Sequence, residues 1–170
     1  MTGDWHFEPL ASRHDVSAFT CREHSIADWL KRYALPNQAR RSSRTFVLVD
    51  GDDPAVIGYY ALSLASLQKS TAAAEVAEGM PPFEIPGVLL GRMGRDEKYA
   101  YKHVGDLLLA DAVLRTLQIA ELAGAKVLLV HALRDELVTW YRDRGFLPSP
   151  VEGRLLMLPI QDLEATRDYA

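Results

Sequence analysis

Apolar side chains recur at helical spacing early in the chain, where Ile26, Trp29, Leu30, Tyr33 and Ala34 fall at i, i+3, i+4, i+7 and i+8. One helix face collects all of them, and Ser25 just ahead is the predicted N-cap. Pro36 lacks an amide hydrogen and crowds the preceding turn, so the helix is expected to end or kink near Leu35. Two β-rich runs follow, Thr45–Val49 and Val56–Leu64, separated by the turn cluster DGDDP at 50–54. They predict a hairpin. Tyr59 and Tyr60 are neighbours on its second strand and point to opposite faces, so one is expected in the core and the other against a cleft. Trp5–Pro9 reads as a short first strand. Gln68 to Glu84 is alanine-rich, then proline-rich, and lacks periodicity, so it reads as a long, partly helical connection.

A buried strand opens at Gly87, carries Arg92 and Arg95 toward its far end, and leads through a turn ending in Gly105 into a long helix. Val104, Leu107, Leu108, Ala112, Leu114 and Leu117 form the predicted apolar face, with Asp111, Arg115 and Gln118 opposite. Gly124 is the predicted stop. Lys126–Leu133 is almost continuously apolar, as expected of a strand covered on both faces. The strand–helix–strand order predicts a parallel crossover. Asp135 begins a short helix that stops at Gly145, Arg154–Leu158 is a last strand, and Asp162 is the expected cap of a terminal helix. A strand entering a helix through a glycine-bearing turn gathers free N–H groups around one point. The helix dipole adds positive potential there, which suits a phosphate or pyrophosphate. An ordinary βα connection with one glycine produces the same pattern.

The chain has 170 residues, which predicts one domain, 1–170, with a substantial core. A net charge of −4 argues against a uniformly basic surface, so any RNA contact needs a local basic patch. QARRSSR at 38–44 offers one, with Arg40, Arg41 and Arg44 close together; a solvated helix end followed by a serine-rich loop is the plainer reading. Cys21 is the only cysteine, which excludes an internal disulfide, and no Cys/His spacing points to a metal. No apolar run reaches membrane-spanning length. The first residues, MTGDWHFEPL, lack the basic-then-apolar order of a signal peptide, so a cytoplasmic protein with no membrane partner is expected.

The order of elements resembles the Gcn5-related N-acetyltransferase (GNAT) fold, and more narrowly the GNAT toxins of bacterial toxin–antitoxin pairs. The resemblance rests on FTCREHSIADWLKRYA at 19–34, VIGYYALSL at 56–64, IPGVLLGRMGRDEKY at 85–99, WYRDRGFLPSP at 140–150 and RLLML at 154–158. It implies an α/β (α+β) fold with a central mixed, mostly antiparallel sheet, a splayed parallel strand pair and flanking helices. It implies an acetyl-CoA-dependent enzyme, without a metal, that acetylates the amino group of an aminoacyl-tRNA and blocks translation. It further implies a homodimer and a ribbon–helix–helix antitoxin. GNAT enzymes that acetylate a small amine or a protein N-terminus, and a non-catalytic GNAT-fold binding or regulatory protein, are the alternatives.

By the same resemblance Tyr141 falls on the catalytic tyrosine, a general acid for the departing thiolate. Met93, Gly94 and Arg95 fall at the strand end beside the pantetheine arm, and Lys102, His103, Val104, Gly105 and Asp106 fall on the pyrophosphate loop. Acetyl-CoA would then lie between the strand ending near Arg95 and the strand Lys126–Leu133. Arg40, Arg41, Arg44 and Arg92, with Arg95 beside them, are the candidate tRNA contacts. The family loop reads Gln/Arg–x–x–Gly–x–Gly/Ala, and here the aligned residues are Ala100 to Gly105. Only the last glycine is kept, and His103 stands in place of the middle one. A Cβ there is expected to crowd the close approach that glycine permits.

Overall fold

The computed structural model describes residues 3–100 and 103–167. Its strands are β1 (Trp5–Pro9), β2 (Arg44–Asp50), β3 (Gly58–Leu67), β4 (Ile85–Arg95), β5 (Val127–His131), β6 (Leu147–Pro148) and β7 (Leu155–Pro159). Its helices are α1 (His24–Arg32), α2 (Ala34–Ala39), α3 (Ala74–Ala77), α4 (Val104–Leu122), α5 (Asp135–Arg142) and α6 (Ile160–Arg167). The strands form a seven-stranded sheet in the order β1-β2-β3-β4-β5-β7-β6. β4 and β5 run parallel, with Gly87–Leu90 opposite Val127–Val130. The pairs β1–β2, β2–β3, β5–β7 and β6–β7 are antiparallel. The expected hairpin, the parallel crossover through the long helix and the mixed sheet are all present. Two compact units divide the chain: Met1–Ser63 with Gly91–Ala112, and Leu64–Leu90 with Val113–Ala170.

In the first unit α1 lays Ile26, Ala27 and Leu30 against Leu10, Phe19, Val47, Val49 and Tyr59. Ser25 is not its N-cap. Glu23 takes that place with extended backbone and no side-chain cap, and Ser25 lies inside the first turn. Pro36 does not end α1 either. α1 stops at Arg32, and Pro36 sits in the first turn of α2, where its missing N–H leaves no bond unmade. Both hairpin tyrosines are fully buried, correcting the expectation that one faces a cleft. Tyr59 donates to the Ile26 carbonyl at 2.6 Å. Tyr60 donates to the Asp111 carboxylate, so Asp111 faces the sheet side of α4, not solvent. Gly94 lies on β4 where α1 passes over it, and a Cβ there would meet Ile26 Cγ2 at 2.4 Å. Asp96 ties down the end of β4. It is buried, accepts from Thr20 N at 3.1 Å and Lys98 N at 2.9 Å, and its own amide donates to the Ile57 carbonyl at 2.8 Å.

In the second unit Leu67, Val76, Ile85, Val127, Leu129, Leu155 and Met157 form the core. Ser149 is buried and donates to the Thr71 carbonyl at 2.6 Å, fixing the long connection after β3. Gly145 terminates the helical turn after α5 at φ 96°, a conformation that glycine adopts without Cβ strain. The buried stripe of α4 runs through Val104, Leu108, Leu109, Ala112, Thr116 and Leu117. Leu107 and Leu114, expected on that stripe, lie beyond its edge and are 40% and 50% exposed. Gly124 does not take the left-handed conformation of a C′ glycine, and Asp162 lies within the first turn of α6 and does not cap it.

Candidate functional site

α4 has 19 residues, so its first turn carries the positive end of a long dipole. Leu107 N donates to the His103 carbonyl at 3.3 Å, so the helical bonding of α4 reaches back to His103. His103 has φ 55° and Arg41 has φ 63°; they are the non-glycine residues at positive φ among those described. A left-handed residue leading into a helix turns successive N–H groups toward one point, the concavity that binds anions. The backbone at His103 therefore keeps the conformation that a glycine takes freely, although the side chain differs. Its imidazole is largely exposed, with Nδ1 3.8 Å from Asp106 Oδ2 in the same turn. Asp106 is the one acidic side chain of that first turn. Val104 is buried and anchors the turn. Lys102 lies outside the described residues.

Tyr141 sits on α5 in the second unit. It is 5% exposed and packs edge-to-face against Trp140 and Phe146, with ring centroids 5.0 Å and 5.1 Å away. Its hydroxyl bonds to no described residue. Nor is it among the sealed, unpartnered side-chain oxygens, which are Ser43 Oγ and Thr45 Oγ1. Burial raises the phenol above its ordinary value. A phenol held neutral is a proton donor and a poor base, which is the property a leaving thiolate requires.

Arg40, Arg41, Arg44 and Arg92 are exposed, Arg95 is partly covered, and none of them forms an ion pair among the described residues. Arg92 stands over the Trp29 ring, 5.7 Å from its centroid. The sequence pattern assigned Trp29 only to a core stripe. Its partnership with Arg92 joins residues far apart in the chain, and no local signal marks it. Met93, Gly94 and Arg95 are half-buried on the last stretch of β4. Among the described residues no group of three His, Cys, Asp or Glu side chains gathers as a metal site. No described helix is long and apolar enough to cross a membrane.

The mixed sheet and the parallel β4–α4–β5 crossover are those of the GNAT fold. A solved structure of AtaT complexed with acetyl-methionyl-tRNAfMet superposes with a TM-score of 0.90 at 23% identity, covering 96% of this chain and 99% of that one. A Tyr→Phe mutant of the toxin AtaT, bound to the C-terminus of the antitoxin AtaR and to acetyl-CoA, superposes with a TM-score of 0.82 at 24% identity, covering 96% and 98%. No family model matches the chain. The tRNA-acetylating toxin of Mycobacterium tuberculosis is 36% identical over 156 residues, 92% of each chain. The chain belongs to the family of that tRNA-acetylating toxin.

Proposed function

We propose that residues 1–170 act as a single acetyltransferase domain that moves the acetyl group of acetyl-CoA onto the amino group of an aminoacyl-tRNA. What carries this reading is the relationship, over nearly the whole length of both chains, to a tRNA-acetylating toxin. Acetyl-CoA supplies an activated thioester. Lys102, His103, Val104, Gly105 and Asp106 hold its pyrophosphate, chiefly through backbone amides at the start of α4. Met93, Gly94 and Arg95 line the pantetheine arm. Tyr141 is the general acid. As the amine nitrogen bonds the acyl carbon and the C–S bond breaks, the phenol proton passes to sulfur and the nitrogen releases its own proton. Arg40, Arg41, Arg44 and Arg92 meet tRNA phosphates; among the described residues they have no carboxylate partner, which leaves their charge available.

The left-handed His103 supports a loop that still cradles an anion and weighs against a purely non-catalytic role. The protein works in the cytoplasm as a homodimer and is neutralised by a ribbon–helix–helix antitoxin, as the complex of AtaT with AtaR supports. The test is to incubate the purified protein with labelled acetyl-CoA and charged tRNA, and with a panel of small amines and peptides. Label in the aminoacyl-tRNA fraction alone is the expected result. Transfer only to small amines or peptides, or to nothing, overturns the reading.

A further inference from the structure

In the second unit α5 ends in a tight reversal that folds the next residues back on the helix. Arg144 N donates to the Tyr141 carbonyl at 3.0 Å and Gly145 N to the Arg142 carbonyl at 3.0 Å, each reaching three residues back instead of four. Phe146 N also donates to the Tyr141 carbonyl, at 3.2 Å. The tightening leaves the Trp140 carbonyl without the amide that a continuing α-helix would offer it. Arg144 Nη1 donates to it instead, at 2.9 Å. A cation thus satisfies an end carbonyl at the negative pole of the helix. The same guanidinium lies over the Trp140 ring, with Cζ 3.7 Å from the ring centroid. A planar cation at that distance is held by the ring's charge distribution and by face-to-face contact.

Trp140 is one of two rings that clamp Tyr141. Its plane stands at 90° to the Tyr141 ring, and the Phe146 plane stands at 67°. The two walls are held in different ways. Phe146 is buried, so core packing fixes it. Trp140 is only half-buried. Packing leaves its indole room to turn, and the stacked, doubly anchored Arg144 restrains it. This matters because the Tyr141 hydroxyl bonds to no described residue. Its oxygen therefore sits where the ring contacts put it. A ring free to change its first side-chain torsion would carry that oxygen away by ångströms.

We propose that Arg144 is a positioning residue for acetyl transfer: stacked on Trp140 and tied to its carbonyl, it locks the indole against Tyr141 and so fixes where the phenol hydroxyl stands. The proposal rests on the reading of Tyr141 as general acid and adds to it the group that holds that acid in place. Arg144 touches no reacting atom in this arrangement. Lysine cannot replace it, because an ammonium has no planar face to lay on the indole while it also donates to the carbonyl.

The test measures acetyl transfer to charged tRNA for wild type, R144A and R144K, each alone and combined with Tyr141→Phe. R144A should lower kcat about tenfold and leave both KM values within about twofold, since a misplaced catalytic group costs rate and not binding. R144K should recover only part of the loss. In the Tyr141→Phe background R144A should cost no further kcat, because the hydroxyl that it positions is gone. A purely structural arginine would lower activity equally in both backgrounds. A kcat loss of the same size with and without the Tyr141 hydroxyl, or no loss at all, overturns the proposal. Should R144A not fold, R144K in the two backgrounds gives the same decision. Wild type that transfers acetyl to no acceptor overturns the functional reading instead. NMR of protein carrying tyrosine labelled with carbon-13 at Cζ then decides the positioning, with the Tyr141 signal assigned by its loss in Tyr141→Phe. One sharp Tyr141 line in wild type that broadens or doubles in R144A is the expected result, and an unchanged line overturns the proposal.

Discussion

At the scale of single residues, the proposed chemistry falls chiefly on Tyr141 and His103. Tyr141→Phe removes only the hydroxyl and keeps the ring contacts with Trp140 and Phe146. It should lower kcat for acetyl transfer by about 10²–10⁴, the span of a lost general acid. Acetyl-CoA affinity and melting temperature should stay near wild type, checked by calorimetric titration and thermal denaturation. Because burial raises this phenol, it stays protonated through the alkaline range. The wild-type rate should therefore show no descending limb as pH passes the ordinary tyrosine value of about 10. His103→Gly exchanges a strained left-handed histidine for the residue that prefers that conformation. Relief of strain of about 1–2 kcal/mol outweighs glycine's added unfolded-state entropy of about 0.5–1 kcal/mol. The variant should gain up to about 1 kcal/mol in denaturant unfolding, and calorimetry should show severalfold tighter acetyl-CoA binding. That Tyr141 lies on a short helix was legible in DELVTWYRDR at 135–144. Its burial against Trp140 and Phe146 was not, because ring packing follows from how α5 is seated.

Among the elements, α1 and the end of β4 show where a local pattern stops being informative. The stripe of Ile26, Trp29 and Leu30 announced α1, and the helix is there. The Ser25 cap and the Pro36 stop failed for the same reason: tertiary packing and backbone geometry selected boundaries one to three residues away, where Glu23 is extended and proline suits a first turn. In the sequence Gly94 is only one residue of a strand end. It is the point where α1 presses on β4, with a Cβ reaching Ile26 Cγ2 at 2.4 Å and Cys21 Sγ at 3.3 Å. Gly94→Ala should destabilise the protein by about 2–3 kcal/mol through overpacking, read as a lower urea midpoint. Ile26→Val in the Gly94→Ala background should recover part of the loss.

The whole molecule shows its electrostatics most clearly in acid. Glu8 on β1 accepts from His14 Nε2 at 2.5 Å, while His14 Nδ1 accepts from Ala11 N at 2.9 Å. The bond from His14, with help from His6 and Arg13, holds the Glu8 carboxyl down at about 2, against an ordinary 4.5. The unfolded chain therefore binds a proton at Glu8 more readily than the folded chain does. The stabilisation is complete above about pH 4.5 and is lost as pH falls toward about 2, up to about 3 kcal/mol in all. Glu8→Gln should be less stable at neutral pH and should lose less stability across that window, measured by urea unfolding at a series of pH values. Nothing in the spacing of Glu8, Ala11 and His14 sets this triad apart from ordinary surface polarity. The turn after β1 closes it.

Local rules determined the order of strands and helices, the parallel crossover and the short helix that carries Tyr141, because each depends on neighbours within a few residues. The two hydrophobic periods and the turn residues are written in the chain itself. Only the tertiary structure decided that both hairpin tyrosines are buried, that Asp111 turns to meet one of them, that Gly94 yields to Ile26, and that Arg92 rests on Trp29 beside an unsatisfied serine. Those outcomes depend on which distant segments come within contact and how much space they leave. The left-handed turn at His103 belongs to the same group, since it is fixed by where β4 ends and α4 begins and not by any preference of histidine.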